Sequence, residues 1–440
     1  MKNYHFLSPF QKYIRAESFS GILLFFVTII ALAWSNSPFR YLYDALWQYE
    51  IGIESAQFTL VKPLILWIND GLMTVFFFLI GLEIKRELVI GELNSLKKAS
   101  LPIFAAFGGM IVPMLFFLIL NTNPATSKGW GIPMATDIAF TLAVLKLLGK
   151  RLPLSLKIFL TAFAIIDDIG AVIVIALFYT GEISWILLLF AGLMLAFLYV
   201  LSFYKIHSKF FLLGFGVLIW YLFLKAGIHP TIAGILIAFA VPLSQRINEF
   251  IYAEKLSEIT KKLTKSTNTN KLPVLTKNQI EEIDHLQEWT ERVQSPLQQI
   301  NHRLHKWVAF LIMPVFALSN AGVSLSSDMD VDLPLIFTIA VSLFAGKAIG
   351  VALFSYLSVK AKIAVLPQYV NFRQIIGIAV LSGVGFTMSL FIGGLAFYGN
   401  THYLDSAKIG IISGSLVSGI AGFLILRIGI KKSGTVSNRL

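Results

Sequence analysis

The chain has 440 residues, 56% of them hydrophobic and only 14% charged. Soluble domains carry roughly 25% charge, so the missing charge marks a polytopic membrane protein and excludes an ordinary soluble enzyme. The net charge of +12 does not signal nucleic-acid binding, because the basic residues sit in short connections between apolar runs. The absence of cysteine excludes disulfides, thiolate metal sites and cysteine nucleophiles.

Met1–Glu17 is polar and basic, and no small-residue cleavage pattern follows the first apolar run, so no cleavable leader is expected. Runs long enough to span a bilayer, about 17–25 residues, are expected at 19–35, 64–84, 100–120, 129–148, 155–179, 183–203, 209–225, 229–244, 304–321, 334–358, 372–397 and 407–428. The fold class is therefore an all-α membrane protein of about twelve transmembrane helices. Between the first two spans, Tyr49–Leu60 alternates loosely through Ile51, Ile53, Phe58 and Leu60, the pattern of a small extracytoplasmic β-hairpin near 49–62.

Alternate connections are basic. Lys85, Arg86, Lys97 and Lys98 form one group; Lys146, Lys150, Arg151 and Lys157 the next; then Lys205 and Lys209, and Lys360, Lys362 and Arg373. The termini (Lys2, Lys12, Arg15; Lys431, Lys432, Arg439) belong to the same side, and the acidic loop Asp328, Asp330, Asp332 to the other. By the positive-inside rule both termini are cytoplasmic. The organisation expected is an N-terminal membrane half over 1–243, a cytoplasmic connection over 244–306 and a C-terminal membrane half over 307–440. In the connection, Ile280, Ile283, Leu286, Trp289 and Val293 recur at helical spacing, predicting one amphipathic helix that acts as a tether or membrane-surface element.

The chemistry-bearing residues follow in chain order. Gly81-Leu-Glu83-Ile-Lys85-Arg86-Glu87-Leu88 crowds two acids and two bases, whose titration would be coupled, although a solvated helix end gives the same string and is the simpler reading of it. In Ile132-Pro133-Met134-Ala135-Thr136-Asp137, Pro133 interrupts a span, so that freed carbonyls, the Thr136 hydroxyl and the Asp137 carboxylate offer hard oxygen ligands at membrane depth. A proline kink with a capping Asp is the simpler alternative.

Asp167 and Asp168 stand side by side in the apolar run Ile158–Phe178. An ionised carboxylate in hydrocarbon is costly and adjacent like charges oppose each other, so the pair suits exchange of protons against small cations. An ordinary histidine titrates near neutrality, which makes His229 a candidate for a pH response, though a lone interfacial His is more often structural. Lys347, too deep to snorkel, needs a carboxylate partner or must lose its proton; Asp167 is the first choice of partner, leaving Asp168 freer, and the opposite pairing stays open.

A second interruption is expected where Ser382-Gly383-Val384-Gly385-Phe386-Thr387-Met388-Ser389 mixes glycine with hydroxyls. Each interrupted span is the middle of a triplet, and the triplets start on opposite membrane sides, as inverted repeats do. Glycines such as Gly91 and Gly234 are read as close helix packing.

The strings Gly129–Phe140, Lys157–Leu160, Ala164–Ala171, Phe78–Leu88 and Gly385–Ser389 together resemble the NhaA family of bacterial Na⁺/H⁺ antiporters, from about residue 18 to 430. That family is itself a reference case for inverted repeats. The resemblance implies two broken helices crossing at mid-membrane, a homodimer formed partly by the hairpin, and location in the bacterial inner membrane. It also implies pH-regulated export of one Na⁺ or Li⁺ against two H⁺, with no cofactor.

Carried over by position, Asp167 and Asp168 bind cation and protons, with Thr136 and Asp137 at the helix crossing. Asp137 and Lys347 offset half-helix dipoles there. Glu83, Lys85, Arg86 and Glu87 match a pH-sensing segment, reversing the simpler reading of that string, and His229 matches a histidine linked to pH response. The connection before the ninth span is longer than in compact relatives. Asn301 stands where relatives carry Glu, Gln298 and Gln299 replace basic neighbours, and Ala348 stands where many have Pro.

Two other functions compete. A Na⁺-coupled symporter would need a roomy polar site, whereas these spans are dense in Phe, Leu and Ile. An intramembrane aspartyl protease places one Asp on each of two helices, whereas this pair is contiguous.

Overall fold

The computed structural model describes residues 9–55, 58–149, 152–204, 209–245, 247–267, 276–324 and 331–433. Lys2, Lys150, Arg151, Lys205, Asp328, Asp330 and Arg439, used above for orientation, lie outside these residues.

The chain opens with α1 (Pro9–Ser35), which turns by 110° at Asn36–Phe39 into the short α2 (Arg40–Gln48). Strands β1 (Glu50–Ser55) and β2 (Phe58–Pro63) pair antiparallel, with Glu50 opposite Pro63 and Ile53 opposite Leu60. The ladder is tied to the following helix by the Trp67 indole N–H, which donates to the Ile51 carbonyl at 2.8 Å, and by Lys62 on Asp70 at 2.6 Å.

Next come α3 (Leu64–Ile90), α4 (Leu96–Leu120), a 3₁₀ segment (Pro124–Met134), α5 (Ile138–Leu147), α6 (Leu154–Phe178), α7 (Trp185–Phe203), α8 (Lys209–Lys225) and α9 (Thr231–Ala240). The connection holds α10 (Glu249–Thr267) and α11 (Lys277–Val293). Then α12 (Pro296–Trp307) runs through a π turn at Val308–Ile312 into α13 (Met313–Asn320). The chain ends with α14 (Leu333–Lys360), α15 (Phe372–Leu381), α16 (Phe386–Ala396) and α17 (Thr401–Ser433).

Among the described residues six helices are long and apolar enough to cross a bilayer, or nine when each bent pair counts as one span. This is a multi-pass membrane protein. The burial pattern agrees with a bilayer as solvent: α7 is apolar all round and only 11% of its apolar stretch is buried, whereas 61% of that of α6 is buried. Helix α6 is thus the internal one, and α7 shows its side chains to lipid. Where a span over 229–244 was expected, α9 covers only Thr231–Ala240. Pro230 precedes it and Pro242 follows, and ten residues rise about 15 Å, half the hydrocarbon thickness.

The 244–306 connection contains α10 and nearly all of α12 in addition to the expected amphipathic helix, which is α11. Helices α10 and α11 pack together through buried Ile259, a hydrogen bond of 3.0 Å between Tyr252 and Thr290, and Lys262 at 3.6 Å from Glu282.

Helices α4 and α14 pack backbone to backbone. A Cβ added at Gly350 would lie 2.1 Å from the Gly108 carbonyl oxygen, and one at Gly108 would lie 2.2 Å from that of Gly350. Only residues without side chains allow this approach, and it seats Lys347, one turn before Gly350, in the interior.

Candidate functional site

Two interruptions of the helical backbone meet inside the molecule. The 3₁₀ segment and α5 are bent by 50° about Ala135–Asp137, and α15 and α16 by 43° about Ser382–Gly385. Pro133 cannot donate to a helical ladder. Gly385 is required on the other side, because a Cβ there would lie 2.7 Å from the Ala135 carbonyl oxygen. The backbone groups freed by the two breaks satisfy each other: the Asp137 N–H donates to the Val384 carbonyl at 2.7 Å, and the Thr136 hydroxyl to the Ser382 carbonyl at 3.0 Å.

The Asp137 carboxylate serves both half-helices. Its Oδ1 accepts the Phe140 N–H at 3.0 Å, capping α5, while its Oδ2 accepts the Thr387 N–H at 3.1 Å and the Thr387 hydroxyl at 2.5 Å at the start of α16. One anion therefore sits between two helix N-termini, where unpaired N–H groups and the helix dipoles favour negative charge.

Lys347 is fully buried and follows a π turn, Ser342–Gly346. Its ammonium donates to Asp167 Oδ2 at 2.7 Å and to the Thr136 hydroxyl at 2.9 Å, and it lies 5.9 Å from the centre of the Phe163 ring. Asp167 and Asp168 are buried on α6, which packs beside the first break. Oδ1 of each has no hydrogen-bond partner among the described residues. Asp168 is acted on by the charges of Asp167, Asp137, Glu83 and Lys347. Thr136, Asp137, Asp167, Asp168 and Lys347 thus form one buried constellation of hard oxygen donors around one ammonium, the ligand chemistry suited to a small alkali cation or a proton.

The residues expected to sense pH are placed differently from one another. Glu83 is buried and lies among the charges acting on Asp168. Lys85 turns away and donates to the Phe239 and Val241 carbonyls at the end of α9, at 2.7 and 2.5 Å. Arg86 pairs with Glu87 at 2.9 Å, and Glu87 accepts the Glu92 N–H at 3.1 Å. His229 lies elsewhere: its Nδ1 is 2.8 Å from the Thr231 hydroxyl, its Nε2 is 3.9 Å from Asp70, and its ring meets Phe391 edge to face. At 1.5 Å of rise per residue, the Asp70 and Glu83 levels of α3 are about 20 Å apart.

Two contributors were not singled out from sequence. Thr387 stood in a hydroxyl-rich string without an assigned partner. His305, whose Nδ1 is 3.9 Å from Glu83, is a histidine at the start of an apolar span, and that position was its available signal. The substituted glutamines have local tasks: Gln298 closes a capping box with Ser295 at the start of α12, and the Gln299 amide donates to the Glu291 carbonyl. Asn301 is buried on α12.

The family model described as Na+/H+ antiporter 1 matches residues 11–426. The chain is 45% identical over 429 residues to the Na(+)/H(+) antiporter NhaA of Oleidesulfovibrio alaskensis, covering 96% of this chain and 94% of that protein. It is 45% identical over 425 residues to the protein of that name from Koribacter versatilis, covering 96% and 91%. With the one from Parabacteroides distasonis it shares 42% identity over 443 residues, covering 96% of each. Among solved structures, the sodium proton antiporter MjNhaP1 from Methanocaldococcus jannaschii aligns over 96% of this chain and 92% of that one at 15% identity and a TM-score of 0.44, a likeness too slight to place residues. The match from residue 11 to 426 and these relatives identify the chain as a member of the Na⁺/H⁺ antiporter 1 family, the NhaA antiporters.

Proposed function

We propose that this protein exchanges Na⁺ or Li⁺ from the cytoplasm for two H⁺ from outside, at a site shared by Asp167 and Asp168. The observation that carries the reading is the asymmetry of the pair: Lys347 holds Asp167 at 2.7 Å, while Asp168 Oδ1 has no partner among the described residues. Asp168 is then the first ligand of an arriving cation, which displaces its proton. Asp167 follows when its bond to Lys347 opens, and the second proton belongs to that Asp167–Lys347 pair. Thr136, hydrogen-bonded to Lys347, can turn its hydroxyl oxygen toward the cation. Asp137 stays bound to both half-helices and keeps the breaks aligned.

Protons and cation compete for the same oxygens, so the loaded core turns over only when one has replaced the other. Two protons entering for one cation leaving moves one charge per cycle, and membrane potential contributes about 2.3 kcal/mol per 100 mV. Twelve crossings follow if α8, the α12–α13 helix and α9, the last completed by the non-helical residues on either side of it, cross in addition to the nine spans above. The two breaks are then the crossing point of inverted repeats at mid-membrane. The same reading puts both termini in the cytoplasm of the bacterial inner membrane and the hairpin outside, as part of a homodimer contact. Glu83, with His305 beside it, and His229 are assigned to the pH response, and Lys85, Arg86 and Glu87 to holding the cytoplasmic end of α3.

The test uses inside-out vesicles with an acid interior. Adding Na⁺ or Li⁺, but not K⁺, should dissipate the proton gradient, and Asp168→Asn should abolish the response. A full response in that variant would remove the site. A wild-type protein that is inserted but silent at every pH would remove the antiport reading.

A further inference from the structure

The loop that joins α14 to α15 has no part in the ion site, yet its backbone is unusual at two positions. Lys362 has φ 60° and Tyr369 has φ 62°. Lys362 occupies the left-handed position that closes α14, with the Ile363 and Ala364 N–H groups donating back to the Ser358 carbonyl. Tyr369 is the third residue of a turn closed by the Val370 N–H on the Pro367 carbonyl. Glycine suits both positions, and a residue with a Cβ is strained in each. The chain keeps a cationic and an aromatic side chain there instead.

The loop itself is firmly placed. Ala364 and Val370 are buried in a cluster with Leu148, Leu152 and Leu156, and the Ser155 hydroxyl donates to the Gln368 carbonyl at 2.5 Å. What points outward is therefore fixed rather than loose: Tyr369 is 91% exposed, and Ile363 and Val365 are exposed with it. The segment directly follows Leu333–Lys360, a helix long and apolar enough to cross a bilayer, and a position just past such a helix is where headgroups begin and amphipathic aromatics are favoured.

Charge on this face has one sign. Residues 138–166 and 333–404 contain no Asp or Glu, while Lys146, Lys157, Lys360, Lys362 and Arg373 lie in these stretches around the packed connections. None of the five is paired with an acidic side chain among the described residues. Apolar and aromatic groups at the interface, ringed by cations that have no acidic partner among the described residues, one of them (Lys360) over the Tyr356 ring at 5.8 Å, complement a negatively charged lipid surface.

We propose that the face formed by the 361–371 loop and the start of α6 binds anionic phospholipid headgroups, with Lys362 and Arg373 on the phosphates and Tyr369, Ile363 and Val365 in the interface. The membrane orientation rests on the antiport reading above; the binding itself does not. Because α14 carries Lys347, α6 carries Asp167 and Asp168, and all three helix ends α14, α15 and α6 meet here, bound lipid would clamp the elements that hold the ion pair.

Melting of the purified full-length protein in a non-ionic detergent tests this by titration with dioleoylphosphatidylglycerol or dioleoylphosphatidylcholine. The anionic lipid should raise the wild-type melting temperature and the zwitterionic lipid should not. Lys362→Gly with Arg373→Gln should weaken the half-saturation point about 25-fold, at roughly 1 kcal/mol per basic residue and 1.4 kcal/mol per tenfold.

Tyr369→Gly relieves its own backbone strain, so without lipid it should melt no lower than wild type while responding less to the anionic lipid. Equal shifts from both lipids, or a charge-deleted variant that titrates like wild type, would overturn the proposal. The readout needs no transport, so failed exchange and failed lipid binding are told apart.

Discussion

Lys347 and Asp167 face each other at 2.7 Å with both side chains wholly inaccessible to solvent, and Asp168, the next residue on the helix, has no such partner. A buried ion pair contributes little compared with apolar packing, but removing one member strands the other at a cost of about 3–5 kcal/mol. Lys347→Ala should therefore lower the melting temperature sharply. Adding Asp167→Asn to it should restore most of the loss, since no uncompensated charge remains. Thermal melts of the single and double variants measure both steps.

Asp168→Asn and Asp137→Ala should separate function from structure. Asp168 Oδ1 makes no hydrogen bond to lose, so the Asn variant should melt as wild type does while exchange vanishes. Asp137→Ala removes the caps of α5 and α16 together. At about 1 kcal/mol per cap it should cost on the order of 2 kcal/mol, visible as a lower melting temperature as well as lost exchange.

Thr387→Val tests the hydroxyl alone. The backbone N–H at 387 still reaches Asp137, so only the side-chain bond is lost. Removing a hydrogen bond to a charged group costs about 1.5–3 kcal/mol. Melting should fall by a corresponding amount, and Thr387→Ser should recover it.

Competition for shared oxygens fixes the sign of the pH dependence. As pH falls, protons displace cation and the apparent KM for Na⁺ should rise, approaching about tenfold per unit for one competing proton, and more for two, where the empty site is mostly protonated, by mass action. Maximal velocity at saturating Na⁺ should change far less over the same interval. Initial rates in vesicles across pH and Na⁺ concentration check this, and a KM independent of pH would sink the shared site.

Gly350→Ala should disturb the site without touching it. A methyl 2.1 Å from the Gly108 carbonyl must push α4 and α14 apart. Overpacking of this kind costs about 1–3 kcal/mol, and it would also withdraw Lys347 from Asp167. Lower melting together with weakened exchange is expected, whereas Gly394→Ala, with open space around it, should leave both unchanged.

The chemistry of the site was more legible in the sequence than its geometry. Charged residues in apolar runs are conspicuous because hydrocarbon penalises them, so Asp137, Asp167, Asp168 and Lys347 were each visible one by one. Pro133 and the glycines near 383–385 marked where backbone groups would be freed. The partners they found were not visible: which Asp takes Lys347 depends on a helix rotation of about 100°. Thr387 meets Asp137 only because two distant breaks coincide. The shortness of α9 was marked by Pro230 and Pro242, which a count of apolar residues over 229–244 passes over. In the connection, α10 was obscured by its high charge, although Ile259 and Tyr252 already marked its packed face.

The double cap at Asp137 has a consequence for how the protein is made. Its two halves are separated by 250 residues of chain. At synthesis rates of about 5–20 residues per second, roughly 10–50 s pass between the emergence of Asp137 and that of Thr387. Through that interval α5 can be capped while the second half of the carboxylate's bonding has no counterpart, so the N-terminal half enters the membrane unfinished. Completion of the break region is therefore a late, post-insertion event, and fragments that end before α16 should remain bound by insertase or be degraded.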